Sequence, residues 1–201
     1  MKIIFSLLLL TAALKGFSQA DSSFYRDESA LFWVSEDAHY RDKEKSPLDK
    51  KARKAFAGHR HYDFDLSFVV TAGFNKIANP DTVIMKTSAG TEKKYLKYAQ
   101  LHLNIGQSHC HLYAYQSLVE EYKTSLFIPF KDLTNGNETY GGGRYLEVLI
   151  PTGNQIVLNF NNAYNPYCAY ADGYYCPIPP AENSLPVAIK AGALAPAASH
   201  E

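Results

Sequence analysis

The sequence predicts a mainly β protein of the α+β class: an antiparallel sandwich or partly closed barrel with two N-terminal helices. Residues 24–58 combine helical spacing of apolar side chains with helix-capping residues. From residue 61 onward apolar and polar residues alternate, and short turns rich in Gly, Asn and Pro separate the alternating runs. Helices do not alternate with strands, so a parallel nucleotide-binding sheet is not expected.

The two helices are expected before the first strand. The first covers residues 24–45, with Asp27 and Glu28 in its first turn, where the helix dipole favours acidic side chains. The second begins at Ser46-Pro47-Leu48-Asp49, with Ser46 as the N-cap and Pro at the first helical position, and it ends at Gly58.

Period-two alternation places seven strands after the helices. They are residues 62–70, 82–86, 94–105, 109–118, 126–130, 145–150 and 155–160. The last two are expected to form a β-hairpin around Thr152-Gly153-Asn154. Since no linker interrupts the pattern, residues 21–201 are expected to form a single domain.

Residues 1–20 have the pattern of a signal peptide. Lys2 precedes an apolar run over residues 3–14, and the small residues Ser18 and Ala20 suit cleavage by a signal peptidase. The run is shorter than the roughly 20 apolar residues that span a bilayer. We therefore expect export to the periplasm or the extracellular space, without stable membrane insertion after cleavage; a retained membrane anchor is the alternative.

Charge argues against a nucleic-acid partner. The chain carries 20 Lys and Arg against 20 Asp and Glu, so it has no basic surface excess of the kind that phosphate backbones attract. The expected partner is an unknown small molecule, and no cofactor is predicted.

The predicted state of the three cysteines follows from the expected export to an oxidising compartment. Cys168 and Cys176 are predicted to form a disulfide. Metal binding is the alternative for this pair, although zinc sites usually have closer spacing. Cys110 lies in a strand-like run and is predicted to be a buried thiol.

The last third of the chain, residues 127–192, contains many short sequence motifs in a specific order. They are Phe127-Ile128-Pro129-Phe130, Asp132, Thr134, Thr139-Tyr140, Gly143-Arg144-Tyr145-Leu146, Phe160-Asn161, Ala163-Tyr164-Asn165-Pro166, Cys168-Ala169-Tyr170, Cys176-Pro177, Pro179-Pro180, Glu182-Asn183, Leu185 and Ala191-Gly192. In these the chain resembles the domain of unknown function 1684 family. The resemblance implies an exported or cytoplasmic bacterial protein without an assigned reaction.

The family pattern and this chain differ at Asn159. Sequences of the family often have Asp at this position, and an amide cannot act as a base. If the acid has a catalytic role in the family, this chain lacks it.

A polar cluster in the last third is the candidate ligand site. Its members are Asp132, Thr139, Tyr140, Arg144, Asn161, Tyr164, Glu182 and Asn183. Gly141–Gly143 allow close approach of the backbone, and the Arg144 guanidinium next to them could hold a carboxylate or phosphate. In the alternative, Arg144 pairs with Asp132 or Glu182 and fixes the loops.

Two His-x-His pairs are a second candidate site. They are His59 with His61 and His109 with His111. Residues two apart in a strand share a face, so His109 and His111 could both reach one metal ion. We favour a solvated strand face with Leu112 and Ala114 inward, and predict no metal site.

Three functional hypotheses result. The first is a small-ligand-binding module with a pocket around Arg144. The second is a hydrolase that uses Asp132 or Glu182. The third is an envelope structural or interaction protein.

Overall fold

The computed structural model describes residues 14–197, with side chains from residue 22 onward. In chain order the helices and strands are α1 (Leu14–Arg41), α2 (Lys50–Ala55), β1 (Val69–Lys76), β2 (Thr82–Lys86), β3 (Glu92–Ile105), β4 (Ser108–Ser117), β5 (Ser125–Phe130), β6 (Arg144–Leu149) and β7 (Gln155–Asn159). The predicted signal peptide falls mostly outside this range: residues 1–13 are not described, and residues 14–20 are the start of α1.

All seven strands belong to one antiparallel sheet. Its order is β6-β5-β4-β3-β1-β7, and β2 also pairs with β3. The long strand β3 is central because one of its edges pairs with β4, while the other pairs first with β2 and then with β1. A register shift between Lys97 and Ala99 lies between the two halves of β3.

The ends of the sheet come together and nearly close a barrel. Tyr145 in β6 and Tyr164, which follows β7, exchange backbone hydrogen bonds of 2.9 and 3.0 Å. The predicted fold class, a mainly β partly closed barrel with two helices, is confirmed.

The predicted hairpin of residues 145–150 with 155–160 is wrong. β6 pairs with β5, and β7 pairs with β1. The chain crosses to β1 already at Asn154, whose carbonyl accepts a hydrogen bond of 2.8 Å from the Phe74 amide. Consecutive strands here occupy the two opposite ends of the sheet.

Alternate side chains of the strands fill the barrel. The fully buried members of this core include Ala72, Ala99, Leu101, Leu112, Ala114, Leu126, Ile128, Phe130, Leu158 and Phe160. Each large aliphatic side chain buried in this way contributes about 1.5–3 kcal/mol.

The predicted strand over residues 62–70 is mostly irregular, and the observed β1 begins only at Val69. Asp65 caps a 3-10 turn over Leu66–Phe68, accepting a hydrogen bond from the Ser67 amide. The alternation in residues 62–68 instead reflects half-buried side chains of an irregular segment: Phe64 lies under the Arg26 guanidinium of α1, and Phe68 packs against the barrel core.

The helices also differ from their predicted bounds. α1 ends at Arg41 instead of residue 45, because Asp42 turns the chain by accepting hydrogen bonds from the Glu44 and Lys45 amides. The second helix begins at Lys50, with Asp49 as its N-cap. No helix in the described part of the chain combines the length and apolar character needed to cross a membrane.

A disulfide between Cys168 and Cys176 is present, as predicted, with the two Cα atoms 6.2 Å apart. Cys110 is a buried free thiol, also as predicted. Within the bridged loop, the Tyr174 hydroxyl donates to the Pro47 carbonyl (3.1 Å), so the disulfide helps to hold the connection between α1 and α2.

Helix α1 is fixed to the following chain by Asp37 and His59. Asp37 Oδ1 accepts hydrogen bonds from the His59 amide (2.8 Å) and from His59 Nδ1 (2.7 Å). The His59 ring lies 4.3 Å from the Tyr40 ring. Gly58 is required here, because its φ is +127° and a Cβ would come within 2.7 Å of Asp37 Oδ2.

Removal of the disulfide should lower stability only under oxidising conditions. A loop of this size constrains the unfolded chain by about 2–3 kcal/mol. We expect the Cys168→Ser/Cys176→Ser variant to unfold at lower urea concentration than the oxidised wild type, and at the same concentration as the reduced wild type. A variant clearly less stable than the reduced wild type would show that the cysteines stabilise the fold in another way.

Stability should decrease as the pH falls through 6.5. Burial lowers the pKa of His59 below its ordinary 6.5, although the hydrogen bond with Asp37 opposes this. The unfolded chain therefore takes up this proton first, and the stability contributed by neutral His59 is complete above pH 6.5 and is lost as the pH falls towards the lower folded pKa.

Asp37 acts in a different pH range. Burial would raise the pKa of Asp37, but hydrogen bonds from His59 and the nearby Arg41 lower it below 3.8, so its contribution is lost only under more acidic conditions. Urea unfolding between about pH 7.5 and pH 5.5 should show the His59 effect in wild type and in His102→Asn, which changes an exposed histidine of β3. It should be reduced in His59→Asn; an unchanged pH dependence there would refute the assignment.

Candidate functional site

The Arg144 side chain lies inside the protein and is fully buried. Its Nη2 donates to Asp132 Oδ2 and to the Ile189 carbonyl, both at 2.8 Å. Its Nη1 donates to the Ala191 carbonyl and, at 3.3 Å, to the Ala193 carbonyl. One guanidinium thus binds a carboxylate and three carbonyls of the C-terminal segment.

Asp132 is equally enclosed, with a side chain that has no exposed surface. Its Oδ1 accepts hydrogen bonds from the Thr134 amide (2.9 Å), the Thr134 hydroxyl (2.6 Å) and the Ile189 amide (3.2 Å). The Thr134 hydroxyl also lies 2.8 Å from that of Thr139. Both carboxylate oxygens therefore have protein partners.

Gly143 permits the backbone to enter this cluster. Its φ is +93°, and a Cβ at this position would lie 2.7 Å from both the Phe130 carbonyl oxygen and Pro179 Cγ. Gly143 is therefore required by close contacts within the protein. The sequence had suggested instead that the glycines before Arg144 allow the backbone to approach a ligand closely.

Electrostatics favour a structural role for this pair. Burial lowers the pKa of Arg144, and the Asp132 carboxylate opposes that effect; a guanidinium nevertheless stays charged in proteins. Arg144 Nε is buried and has no hydrogen-bond partner among the described residues. Because no part of the guanidinium reaches the surface, a ligand could touch it only after the C-terminal segment moved. The structure shows the arrangement expected of the loop-fixing alternative, and ligand binding by Arg144 stays a prediction.

The other candidate residues do not all converge on Arg144. Thr139 lies in its cluster, and the Tyr140 carbonyl accepts a hydrogen bond of 3.2 Å from Asn135 Nδ2 at the edge of that cluster. Asn161, Tyr164, Glu182 and Asn183 belong to separate sets of contacts, described next.

Asn183 connects two strands. Its Nδ2 donates to the carbonyls of Tyr113 (2.9 Å) and Pro129 (2.7 Å), while its Oδ1 accepts from the Tyr113 amide (2.7 Å). Glu182 accepts hydrogen bonds from Tyr115 (2.6 Å) and Lys97 (2.7 Å). Partial burial would raise the pKa of Glu182, but these two bonds lower it, which makes it a poor general base.

Asn161 and Asn159 fix the end of β7 to α1 and to the chain before β1. Asn161 exchanges hydrogen bonds of 2.9 Å with the Asp65 backbone. Asn159 Nδ2 donates to Ser29 Oγ (3.0 Å) and to Glu28 Oε2 (3.1 Å). The Asn159 amide has a structural use here, because a carboxylate at this position could not donate to Glu28.

Tyr164 belongs to a surface cluster that the sequence did not reveal. We call it the acidic aromatic patch; its members are Glu36, Tyr95, Glu147, Tyr164 and Tyr167. The Tyr164 hydroxyl donates to Glu147 Oε1 at 3.1 Å. Neither Glu36 nor Glu147 forms an ion pair with a described residue.

The charges of the patch act on one another. Burial, followed by the negative charges of Glu147 and Asp37, raises the pKa of Glu36. Burial and Glu147 likewise raise the pKa of Tyr95. The two patch carboxylates are thus close enough to repel each other.

Aromatic contacts connect the patch to neighbouring rings. The Tyr164 ring lies 6.5 Å from Phe32 and 5.7 Å from Tyr145, and the Tyr95 ring lies 5.5 Å from Phe127. Period-two alternation does place Tyr145 and Glu147 on one face of β6, but nothing in the sequence connects that face with Glu36 on α1.

The two histidine pairs have different surroundings. His59 is bound to Asp37, and the His61 ring stacks on Trp33 at 4.8 Å. His109 and His111 are exposed on one face of β4, with Leu112 and Ala114 buried on the other, as predicted. Within residues 22–197, no three or more His, Cys, Asp or Glu side chains are arranged to hold a metal ion.

The protein is a nearly closed antiparallel barrel whose C-terminal segment is fixed from within by Arg144. The chain belongs to the family described as "Protein of unknown function (DUF1684)", which matches residues 54–193. The resemblance stated from the sequence is therefore confirmed.

A solved structure has a similar fold. It is the solution NMR structure of an uncharacterized protein from gene locus rrnAC0354 of Haloarcula marismortui, with a TM-score of 0.70 and 32% sequence identity. The match covers 87% of this chain and 96% of that chain. No curated protein matches the chain significantly.

Arg144→Met should destabilise the protein strongly. Methionine fills much of the space but leaves the Asp132 carboxylate buried without a cation, and breaking a buried pair in this way costs about 3–5 kcal/mol. We expect a corresponding decrease in the free energy of unfolding measured in urea. Adding Asp132→Asn, which removes the uncompensated charge, should recover part of it. An Arg144→Met variant with wild-type stability would contradict the structural role.

Proposed function

We propose that this protein is an exported small-ligand-binding module that holds its ligand on the acidic aromatic patch. One observation carries the proposal: two carboxylates without an ion-pair partner among the described residues, Glu36 and Glu147, lie among tyrosine rings at the surface. The patch residues come from α1, β3, β6 and the chain after β7. Residues so distant in sequence meet here on a rigid support.

The chemistry of the patch suits an organic cation such as an amine or a quaternary ammonium group. The pKa of Glu36 is raised by burial and then by repulsion from Glu147 and Asp37, and a cation among these groups would relieve that repulsion. Aromatic faces attract cations through their quadrupole, and the attraction increases when the cation is partly desolvated. The partial burial of Tyr95 and Tyr164 provides such surroundings.

The hydrolase alternative has less support. Asp132 is held in a buried ion pair, and Glu182 accepts two hydrogen bonds that lower its pKa. A general base needs access to substrate and a pKa near the working pH. The same patch could still contribute to catalysis if a substrate cation bound beside Glu36, whose pKa is raised.

An interaction protein of the cell envelope is the second candidate. Phe24, Leu31 and Val34 on α1 are 62%, 70% and 67% exposed. Their spacing of seven and three residues places them on one side of the helix. An exposed apolar stripe of this kind is typical of a protein-binding surface.

Export remains part of the proposal. The disulfide suits an oxidising compartment, where such bonds form and persist. The signal peptide and the periplasmic or extracellular location are supported by the sequence pattern of residues 1–20 alone.

Choline should bind to the patch more tightly than its uncharged analogue 3,3-dimethyl-1-butanol, in which carbon replaces the quaternary nitrogen. The two molecules have nearly the same shape, so a difference reports on charge. We expect isothermal titration calorimetry to give at least about tenfold weaker binding for the neutral analogue, and at least about tenfold weaker choline binding by Glu147→Gln. Spermidine serves as a second cation.

Glu92→Gln provides the matched control, because Glu92 is an exposed carboxylate at the start of β3 that does not belong to the patch. It should bind like wild type. Failure of both cations to bind, or equal choline binding by Glu147→Gln and wild type, would remove the proposed site.

A further inference from the structure

The β3–β4 hairpin carries three exposed histidines close to its turn. Of the seven histidines in the chain, His102, His109 and His111 lie on the outer face of this one hairpin. The register pairs His102 directly with His111, and Asn104 directly with His109. Side chains directly opposite in an antiparallel pair have Cβ atoms about 4.5–5.5 Å apart, within reach of one metal ion.

The neighbouring pair sets the orientation of a third imidazole. His109 Nδ1 lies 2.5 Å from Asn104 Oδ1. Because the amide oxygen only accepts, Nδ1 carries the proton and the lone pair is on Nε2. Metal-binding histidines usually have this second hydrogen bond, which fixes the ring and its tautomer.

The inner face of the hairpin makes the support rigid. Leu101, Leu103, Cys110 and Leu112 are all buried in the barrel core. The main chain below the histidines therefore cannot shift without disturbing the core. The positions of the three Cβ atoms are fixed, the His109 ring is held by Asn104, and the side chains of His102 and His111 are exposed.

We propose that His102 and His111 form a binding site for a divalent transition-metal ion on the outer face of this hairpin. Among the described residues, no three His, Cys, Asp or Glu side chains are arranged around one point, so the two cross-strand imidazoles carry the site. Water, or His109 through its free Nε2, completes the coordination. This site is distinct from the acidic aromatic patch in its residues and in the ligand it takes.

The choice of metal follows from the donors. Neutral imidazole suits Cu²⁺, Ni²⁺ and Zn²⁺, and affinity at a given nitrogen site increases from Ni²⁺ to Cu²⁺ and is lower again for Zn²⁺. Cu²⁺ should therefore bind most tightly. Hard cations that prefer oxygen ligands, such as Mg²⁺ and Ca²⁺, should not bind here.

The test is a titration of the untagged protein with CuCl₂, in which calorimetry measures binding and electron paramagnetic resonance identifies the ligand atoms of the bound Cu²⁺. We expect one saturable site whose spectrum shows nitrogen ligands. Separate His111→Asn and His102→Asn variants should each weaken Cu²⁺ binding by at least about tenfold, since each removes one of two chelating nitrogens. Both positions are exposed, and thermal melting should confirm that both variants are folded as in wild type.

His61→Asn is the matched control, because His61 is also exposed but stacks on Trp33 away from any histidine partner in β3 or β4. It should bind Cu²⁺ like wild type. The proposal is overturned if wild type has no saturable Cu²⁺ site, or if His102→Asn and His111→Asn bind Cu²⁺ as wild type does.

Discussion

The contact between Arg144 and the C-terminal segment is the interaction on which the irregular half of this protein depends. Its guanidinium binds Asp132 and the carbonyls of Ile189, Ala191 and Ala193. This segment in turn binds distant parts of the chain. The Gly192 carbonyl accepts from the Tyr62 amide at 3.0 Å, and the Leu194 amide donates to the Arg60 carbonyl at 2.8 Å. Loops far apart in sequence are thus fixed to one buried cation.

Energetics explain why such a pair occupies the interior. Moving two charges out of water is costly, and only good geometry with further hydrogen bonds compensates for it. Here Asp132 has partners on both oxygens, and Arg144 has four hydrogen bonds from its two terminal nitrogens. The charged residues that are available to a ligand lie elsewhere, on the outer face of the barrel. Interior polarity determines the loop structure, and the ligand site that we propose lies on the surface patch instead.

The sequence predicted what depends on local pattern. Alternation identified β2 to β5 closely, and it placed Leu112 and Ala114 inward with His111 outward. It failed where pairing is non-local: no local signal shows that β6 pairs with β5 while β7 crosses to β1. It also failed over residues 62–68, where side chains pack beside the barrel although the backbone is not a strand.

In the candidate site, too, the sequence indicated local features but not the contacts between distant parts of the chain. The ion pair of Arg144 with Asp132 was one of two alternatives, because a buried Arg commonly needs an acid. Its carbonyl partners at Ile189, Ala191 and Ala193 had no side-chain signal. The acidic aromatic patch was missed because it joins Glu36 to Glu147 across the fold, and only the packing of α1 on the barrel brings them together.

Hydrogen exchange in an Arg144→Lys variant tests the central claim most directly. Lysine keeps the positive charge, but its three N–H donors on one nitrogen cannot bind Asp132 and all three carbonyls at once. The account predicts that the amides of Tyr62, Ala193 and Leu194 exchange much faster in the variant, while the amides of the β3–β4 pair keep their protection. Unchanged protection of Tyr62, Ala193 and Leu194 would show that the C-terminal segment is held in place without Arg144.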